Sequence, residues 1–357
     1  MHHAPTNLAV RLCDVGRDDV LLVGGKGASL GELVRLGLPV PAGFAVTTAA
    51  FRAARSALDP DGRTAGLLAT LDPHDHQAVD AAMAPLRAAL ATCDLPPALE
   101  AAVRAHYRAL PPSPAGGPLP VAVRSSATGE DGLDASFAGL QDTFLWVRHE
   151  DRLLDRLRAC WASLYSVESV CYRLQRGIPE DDAAMAVVVQ QMVDARSSGV
   201  LFTRSPSTGD RSVVAVEAAW GLGSAVVGGE VTPDAYTLSK VTGDVLRRHV
   251  SCKTRRHVPD PDGDGVRDEE VPAELQSAPA LDDSELARLL ELGRAVEAHY
   301  GVAQDVEWAV AAGAPQGDGL FLLQSRPETA WSKRQPPPVA APKARAFDHV
   351  IEALGRP

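Results

Sequence analysis

The 357-residue sequence has no uninterrupted apolar run long enough to cross a bilayer, and it opens without the apolar segment of a secretory signal. Paired cysteines are missing as well. Cys13, Cys93, Cys160, Cys171 and Cys252 are scattered, odd in number and never spaced Cys-x-x-Cys, which argues against a disulfide framework or a zinc site. Together these absences lead us to expect a cytoplasmic protein with reduced thiols. Aromatic residues make up only 5% of the chain, so aliphatic cores are expected. Basic charge is in deficit: a net charge of -11 speaks against a general nucleic-acid binder, which needs clustered Lys and Arg. A local basic pocket for a small phosphorylated ligand remains compatible with it. What remains, 45% apolar and 23% charged residues, is the composition of a globular protein with room for one large or two ordinary domains.

The chain is organised around residues 121–147, VAVRSSATGEDGLDASFAGLQDTFLWV. A short apolar run leads into Arg124, then Ser125, Ser126 and Thr128, a Gly-Glu-Asp-Gly turn, Ala135, Ser136, Gly139 and a closing apolar segment. Hydroxyls and an arginine just after a strand, followed by flexible backbone, suit the grip on a polyphosphate. Read by itself, the same stretch is equally a strand followed by a polar hairpin. Upstream, Gly24-Gly25-Lys26-Gly27 precedes Leu30, Leu33, Val34 and Leu36 at helical spacing. A glycine-rich loop with a lysine thus opens a helix, an arrangement that can bind phosphate. It is not a Walker A loop, because Gly27 follows Lys26 where Ser or Thr is required.

Residues 8–13 and 44–47 read as short strands, and residues 49–110 as helices broken near 59–62, 72–74 and 95–97. Residues 111–120, PPSPAGGPLP, form a Pro/Gly linker and a natural lobe boundary. An apolar stripe predicts one long helix over 151–174. Strands are expected at 186–193, 199–203 and 212–219, the first ending in Gln190, Gln191, Met192 and Val193. Residues 251–271 read as an exposed, turn-rich loop. Residues 281–300 form an amphipathic helix with Asp282, Asp283 and Ser284 as cap candidates. Residues 305–310 and 322–326 alternate polar and apolar around a glycine-rich loop, predicting a β-hairpin. A period of two puts Asp305 and Glu307 on one face, and Gln324 and Arg326 on one face of the second strand. Such oxygens suit Mg²⁺ on a nucleotide's phosphates, although a salt-bridged hairpin edge explains them too. Residues 332–357 form a Pro-rich tail, with a short helix expected at 347–354.

Taken in order, GGKGASLGEL…GLPVPAGFAVT, VAVRSSATGED…ASFAGLQDTF, VVVQQMV…SGVLFT…STGD, WGLG…GG…TPD and QDVEWAV…LLQSRPET resemble one family. It is the N-terminal nucleotide-binding domain of phosphoenolpyruvate synthase and pyruvate phosphate dikinase, shared with rifampin phosphotransferase and phenylphosphate synthase. The resemblance implies an α+β, ATP-grasp fold over residues 1–331, with ATP in a cleft between two lobes. It implies that Lys26 and Arg124 contact phosphates, and that Thr128, Ser136, Gly139 and Thr143 line the phosphate-side loop. Gln190, Met192 and Val193 would meet adenine at a hinge. Glu307 and Gln324 would hold Mg²⁺, and Asp305 and Arg326 would complete the phosphate end. Lys26, Arg124 and Arg326 are the residues implied to take part in catalysis. Ser224 stands where the family usually has Glu after WGLG, and SPSTGD replaces its usual Asn/Asp-PVTGD. None of the ten histidines has the Gly/Ser/Thr-rich surroundings of the family's phosphorylated histidine. The resemblance therefore implies a stand-alone subunit that passes the β-phosphoryl of ATP to a histidine on a separate partner protein, leaving AMP and phosphate. The alternatives are an ATP-grasp ligase releasing ADP and a silent nucleotide-binding regulator.

Overall fold

Branched aliphatic residues dominate two sets of strands, and each set builds its own sheet. The computed structural model describes residues 7–113, 116–129, 142–261, 263–315, 318–329 and 331, with the backbone of 131–132 and 135–136. The tail 332–357 and its expected helix lie outside the described residues.

The first half of the chain comprises β1 (Ala9–Arg11), α1 (Val20–Arg35), β2 (Gly43–Val46), α2 (Thr48–Leu58), α3 (Arg63–Leu68), α4 (His76–Thr92) and α5 (Pro97–Arg108). It continues through β3 (Val121–Ala127), β4 (Asp131–Gly132), β5 (Ala135–Ser136), β6 (Thr143–Val147), α6 (Glu150–Ser163), α7 (Val167–Arg176) and β7 (Met185–Gln191). The first sheet has the order β1-β2-β7-β3-β6, antiparallel throughout. Helices α2 and α4–α7 pack on it, around a core that includes Phe51, Met83, Leu157 and Trp161.

The second half comprises β8 (Ala195–Phe202), β9 (Val213–Trp220), α8 (Ser224–Val227), β10 (Asp234–Ser239), β11 (Val245–His249), β12 (Arg255–Pro259) and β13 (Val266–Glu270). It ends in α9 (Ala273–Gln276), α10 (Asp283–Tyr300), β14 (Gln304–Ala311) and β15 (Leu320–Pro327). The second sheet runs β11-β10-β9-β8-β14-β15, also antiparallel. Its core joins Trp220, Tyr236 and Trp308 to the apolar face of α10. The protein is thus α+β.

The stretch read as a lobe boundary, 111–120, joins α5 to β3, and Val103 before it, Leu119 within it and Val121 after it belong to the same core. The chain passes from the first sheet to the second at residues 192–194 instead. Helix α1 lies between the sheets. Its Ser29 hydroxyl donates to the Ser325 carbonyl of β15 at 2.6 Å, while Gly27 N donates to Ser126 Oγ of β3 at 3.1 Å.

Three local expectations meet the structure differently. Asp282 caps α10 as expected, in a reciprocal pair of bonds with Glu285. The single helix expected over 151–174 is two, because Ser166 accepts from Ser169 N at 3.2 Å and starts a new one. The expected exposed loop at 251–271 contains a wholly buried Lys253 and the β12–β13 hairpin. The turn of that hairpin is held on the first half of the chain, where Arg148 N donates to Asp264 Oδ1 at 2.9 Å.

Candidate functional site

The glycine-rich stretch expected as a loop before the helix lies inside α1, which it kinks at Gly24, and it shapes one side of the junction between the sheets. Gly24 adopts φ 69°, a left-handed conformation, and a Cβ there would come within 2.0 Å of the Ser126 carbonyl oxygen. Only glycine permits this approach. The kink is then clamped by Ser126, whose Oγ donates to the Val23 carbonyl at 2.8 Å and accepts from Gly27. Lys26 follows immediately and is buried.

On β3, Arg124 projects towards the second sheet. Its Nη1 donates to the Leu323 carbonyl at 2.9 Å, and its Nη2 donates to Glu307 Oε2 at 3.1 Å and to Gln324 Oε1. The latter two are placed by the expected hairpin: β14 and β15 pair Asp305 with Arg326 and Glu307 with Gln324. A groove of ≈ 390 Å³ opens here. Six of the residues expected at a site line it: Arg124, Thr143, Gln190, Met192, Val193 and Glu307. Leu145, Leu222, Gly223, Ser224 and Val227 also line it; Ser224 had been noted only as a departure from the family's pattern, and Leu222 and Gly223 only as part of its WGLG motif.

The other expected residues are arranged around the groove. Gln324 reaches it through Arg124. Thr128 lines a neighbouring hollow of ≈ 320 Å³ with Gly25, Ser29 and Gln304. Asp305 and Arg326 face each other across the hairpin at 3.6 Å. Ser136 lies in the short β4–β5 ladder, with its side chain outside the described residues, as is Gly139.

Several polar groups at this junction are left without protein partners. Arg124 Nε, Gln190 Nε2 and Asp305 Oδ1 are buried and find no hydrogen-bond partner among the described residues. Buried polar atoms are normally satisfied, and two of these three, on Arg124 and Gln190, belong to residues that line the groove. Burial pushes the Asp305 carboxyl up to about 6; Arg326 pulls it down and Glu328 pushes it further up. Among the described residues no group of three or more His, Cys, Asp or Glu could hold a metal without help. The oxygens of Glu307, Gln324 and Asp305 nevertheless suit a hard cation whose remaining ligands come from water and phosphate.

A model of the pyruvate phosphate dikinase AMP/ATP-binding domain matches residues 20–346. The chain belongs to this family. As an AMP/ATP-binding domain of the pyruvate phosphate dikinase type it has relatives that match it over most of its own length. A protein named probable phosphoenolpyruvate synthase, from Staphylothermus marinus, is 42% identical over 94% of this chain and 43% of its own length. Another of that name, from Methanothermobacter thermautotrophicus, is 41% identical over 88% of this chain and 45% of its own. Rifampicin phosphotransferase of a Streptomyces species is 42% identical over 90% of this chain and 36% of its own. The domain therefore spans less than half the length of these relatives. No helix among the described residues is long and apolar enough to cross a membrane.

Proposed function

We propose that the groove is the ATP cleft of an ATP-grasp phosphotransferase domain, formed by residues 1–331, with 332–357 as a tail. The domain passes the β-phosphoryl group of ATP to a histidine on a separate partner protein and leaves AMP and phosphate. The observation that carries this reading is the meeting of Arg124, from the first sheet, with Glu307 and Gln324, from the second, at a largely apolar groove that Arg124 and Glu307 line. An apolar slot ending in a charged junction matches a nucleotide in shape and polarity.

In this reading the adenine lies against Met192 and Val193, and the orphaned Gln190 amide donates to a ring acceptor. Arg124 gives up its bonds to Glu307 and Gln324 for phosphate oxygens, to which it offers two parallel donors. Lys26, Arg326 and the hydroxyls of Thr128, Ser136 and Thr143, with Gly139, complete the phosphate end. Glu307 and Gln324, with Asp305 beside them, would hold Mg²⁺. When bound, that ion neutralises phosphate charge and supplies Lewis acidity. The chain's own part is to align the phosphates and offset the charge that builds up during transfer, since phosphoryl transfer needs little covalent help. The partner's histidine is the nucleophile.

The test uses ATP labelled at the β- or the γ-phosphate, added with Mg²⁺ to a lysate of the source cells with and without the purified chain. The reading expects acid-labile label on a second protein, from the β position only, together with AMP. Acid-labile label on that second protein from the γ position, with ADP, would overturn it.

A further inference from the structure

One chain of side chains that the proposed transfer does not use opens onto the groove. Ser224 stands on the groove wall with Oγ 2.8 Å from His257 Nδ1. His257 Nε2 lies 3.2 Å from Glu230 Oε2. The imidazole is held from behind as well. Its residue sits on β12, and the His257 carbonyl accepts from Leu222 N at 2.9 Å. Gly221, at φ 77°, passes so near that a Cβ would fall 2.4 Å from that carbonyl oxygen. The ring is largely sheltered, with 14% of the side chain exposed.

A carboxylate at Nε2 favours the tautomer that keeps the ring hydrogen on Nε2, towards Glu230, and leaves the Nδ1 lone pair to accept from the Ser224 hydroxyl. Nucleophile, base and orienting carboxylate are then in hydrogen-bond sequence, the arrangement by which a serine becomes reactive. A hydroxyl needed only to fasten the β12–β13 hairpin to the glycine-rich connection would not need a base with a carboxylate behind it, nor a place on the groove wall.

We propose that Ser224 is an activated nucleophile that takes the terminal phosphoryl group of a nucleotide bound in the same groove, so that the chain modifies itself to phosphoserine. The proposal rests on reading the groove as a nucleotide site. Ser224 Oγ attacks the terminal phosphorus, and an Oγ–P bond forms. The bond from that phosphorus to the oxygen bridging the next phosphate breaks, and ADP leaves with the electron pair. The serine proton passes to His257 Nδ1; the imidazolium is stabilised by Glu230 and later returns its proton to water. Arg124, on the same groove, offsets charge on the phosphoryl in transit. The product adds close to two negative charges to the groove wall. Phosphates of a second nucleotide are then repelled, so the modification limits turnover.

The experiment has two arms on the full chain. In the first, the protein is incubated with diisopropyl fluorophosphate, which marks reactive serines without any nucleotide. In the second it is incubated with γ-labelled ATP and Mg²⁺, quenched in acid and mapped by mass, while ATP binding is measured separately by calorimetry. Both labels are expected on Ser224, acid-stable in the second arm, and absent from Ser224→Ala. His257→Gln keeps a hydrogen-bonding group of similar reach but no base, and should slow both labels by about 10²-fold or more. A wild-type chain that binds ATP yet takes up neither label overturns the proposal, as does labelling of Ser224→Ala or wild-type rates in His257→Gln. Fluorophosphate labelling without phosphate gain from bound ATP overturns the phosphoryl-acceptor assignment. Failure to bind ATP at all counts against the nucleotide reading of the groove, and the fluorophosphate arm still decides whether Ser224 is a nucleophile.

Discussion

Two ion pairs in this molecule share a chemistry and differ in how completely their atoms are occupied. Asp234 and Lys253 are both wholly buried in the second half of the chain. Asp234 accepts from Lys253 Nζ, from Ser251 N at 2.9 Å, from Ala280 N at 2.8 Å and from the Tyr236 hydroxyl at 3.2 Å. Lys253 also donates to the Ser251 carbonyl at 2.9 Å. Arg124 and Glu307 are also paired, but Glu307 is 32% exposed, Arg124 Nε is unpartnered, and Asp305 two residues away keeps an orphaned oxygen. The first pair is saturated and ties β10 to the segment before β12 and to the start of α10's approach. The second is unsaturated, faces a groove, and spans two sheets. At the groove, the unsaturated pair is the one placed to meet a ligand.

The sharpest way to break this comparison is to remove one partner from each pair. Lys253→Ala leaves a buried, desolvated carboxylate, and should cost about 3–5 kcal/mol of folding stability by urea titration. The molecules that remain folded should bind ATP as the wild type does. Arg124→Ala should do the reverse. Glu307 is 32% exposed and can turn to water, so the loss of stability should be smaller than for Lys253→Ala. ATP-dependent transfer should fall by about 10²-fold or more, because a preorganised charge is lost where charge develops. If Arg124→Ala unfolds the protein and Lys253→Ala does not, the distinction between the two pairs is wrong.

The same contrast explains how much could be read from the sequence. Period-two alternation at 305–310 and 322–326 was enough to put Asp305 and Glu307 on one face of β14, and Gln324 and Arg326 on one face of β15, but the register that sets Asp305 opposite Arg326 and Glu307 opposite Gln324 came from the structure. The Asp282 cap was legible from local sequence as well. Lys253 was not: in a run of charges it reads as solvent-exposed, and only Asp234, arriving from another strand, makes its burial tolerable. His257 gave no local sign either, since its partners lie 33 and 27 residues away. Nor did spacing within a segment show that Arg124 would meet residues 183 and 200 positions further on. That convergence was foreseeable only from the order of the motifs along the whole chain, which is a statement about a family and not about any one segment. The break before Ser166 was missed because the apolar stripe continues on both sides of it, and one serine had to outweigh the periodicity.

Asp305, beside the unsaturated pair, gives a finer test through pH. Burial raises its carboxyl from 3.8 to about 6 in the folded protein, a larger effect than the opposing pull of Arg326. The folded state therefore holds this proton more tightly than the unfolded chain. Its contribution to stability is fully present below the unfolded value near 3.8 and is lost as the pH rises through about 6. Across that window the loss is on the order of 2–3 kcal/mol, with a flat region above it. Asp305→Asn has no proton to lose. In nucleotide-free, metal-free protein the variant should be more stable than wild type at pH 8, and the difference should shrink towards pH 4 in a series of urea titrations. The same variant should bind Mg²⁺ with ATP less tightly, since it has exchanged a carboxylate for an amide. A gain in stability accompanied by a loss of binding is the mark of a group strained for a ligand. A variant less stable than wild type at pH 8 would place Asp305 with Asp234, among the saturated charges that hold the fold.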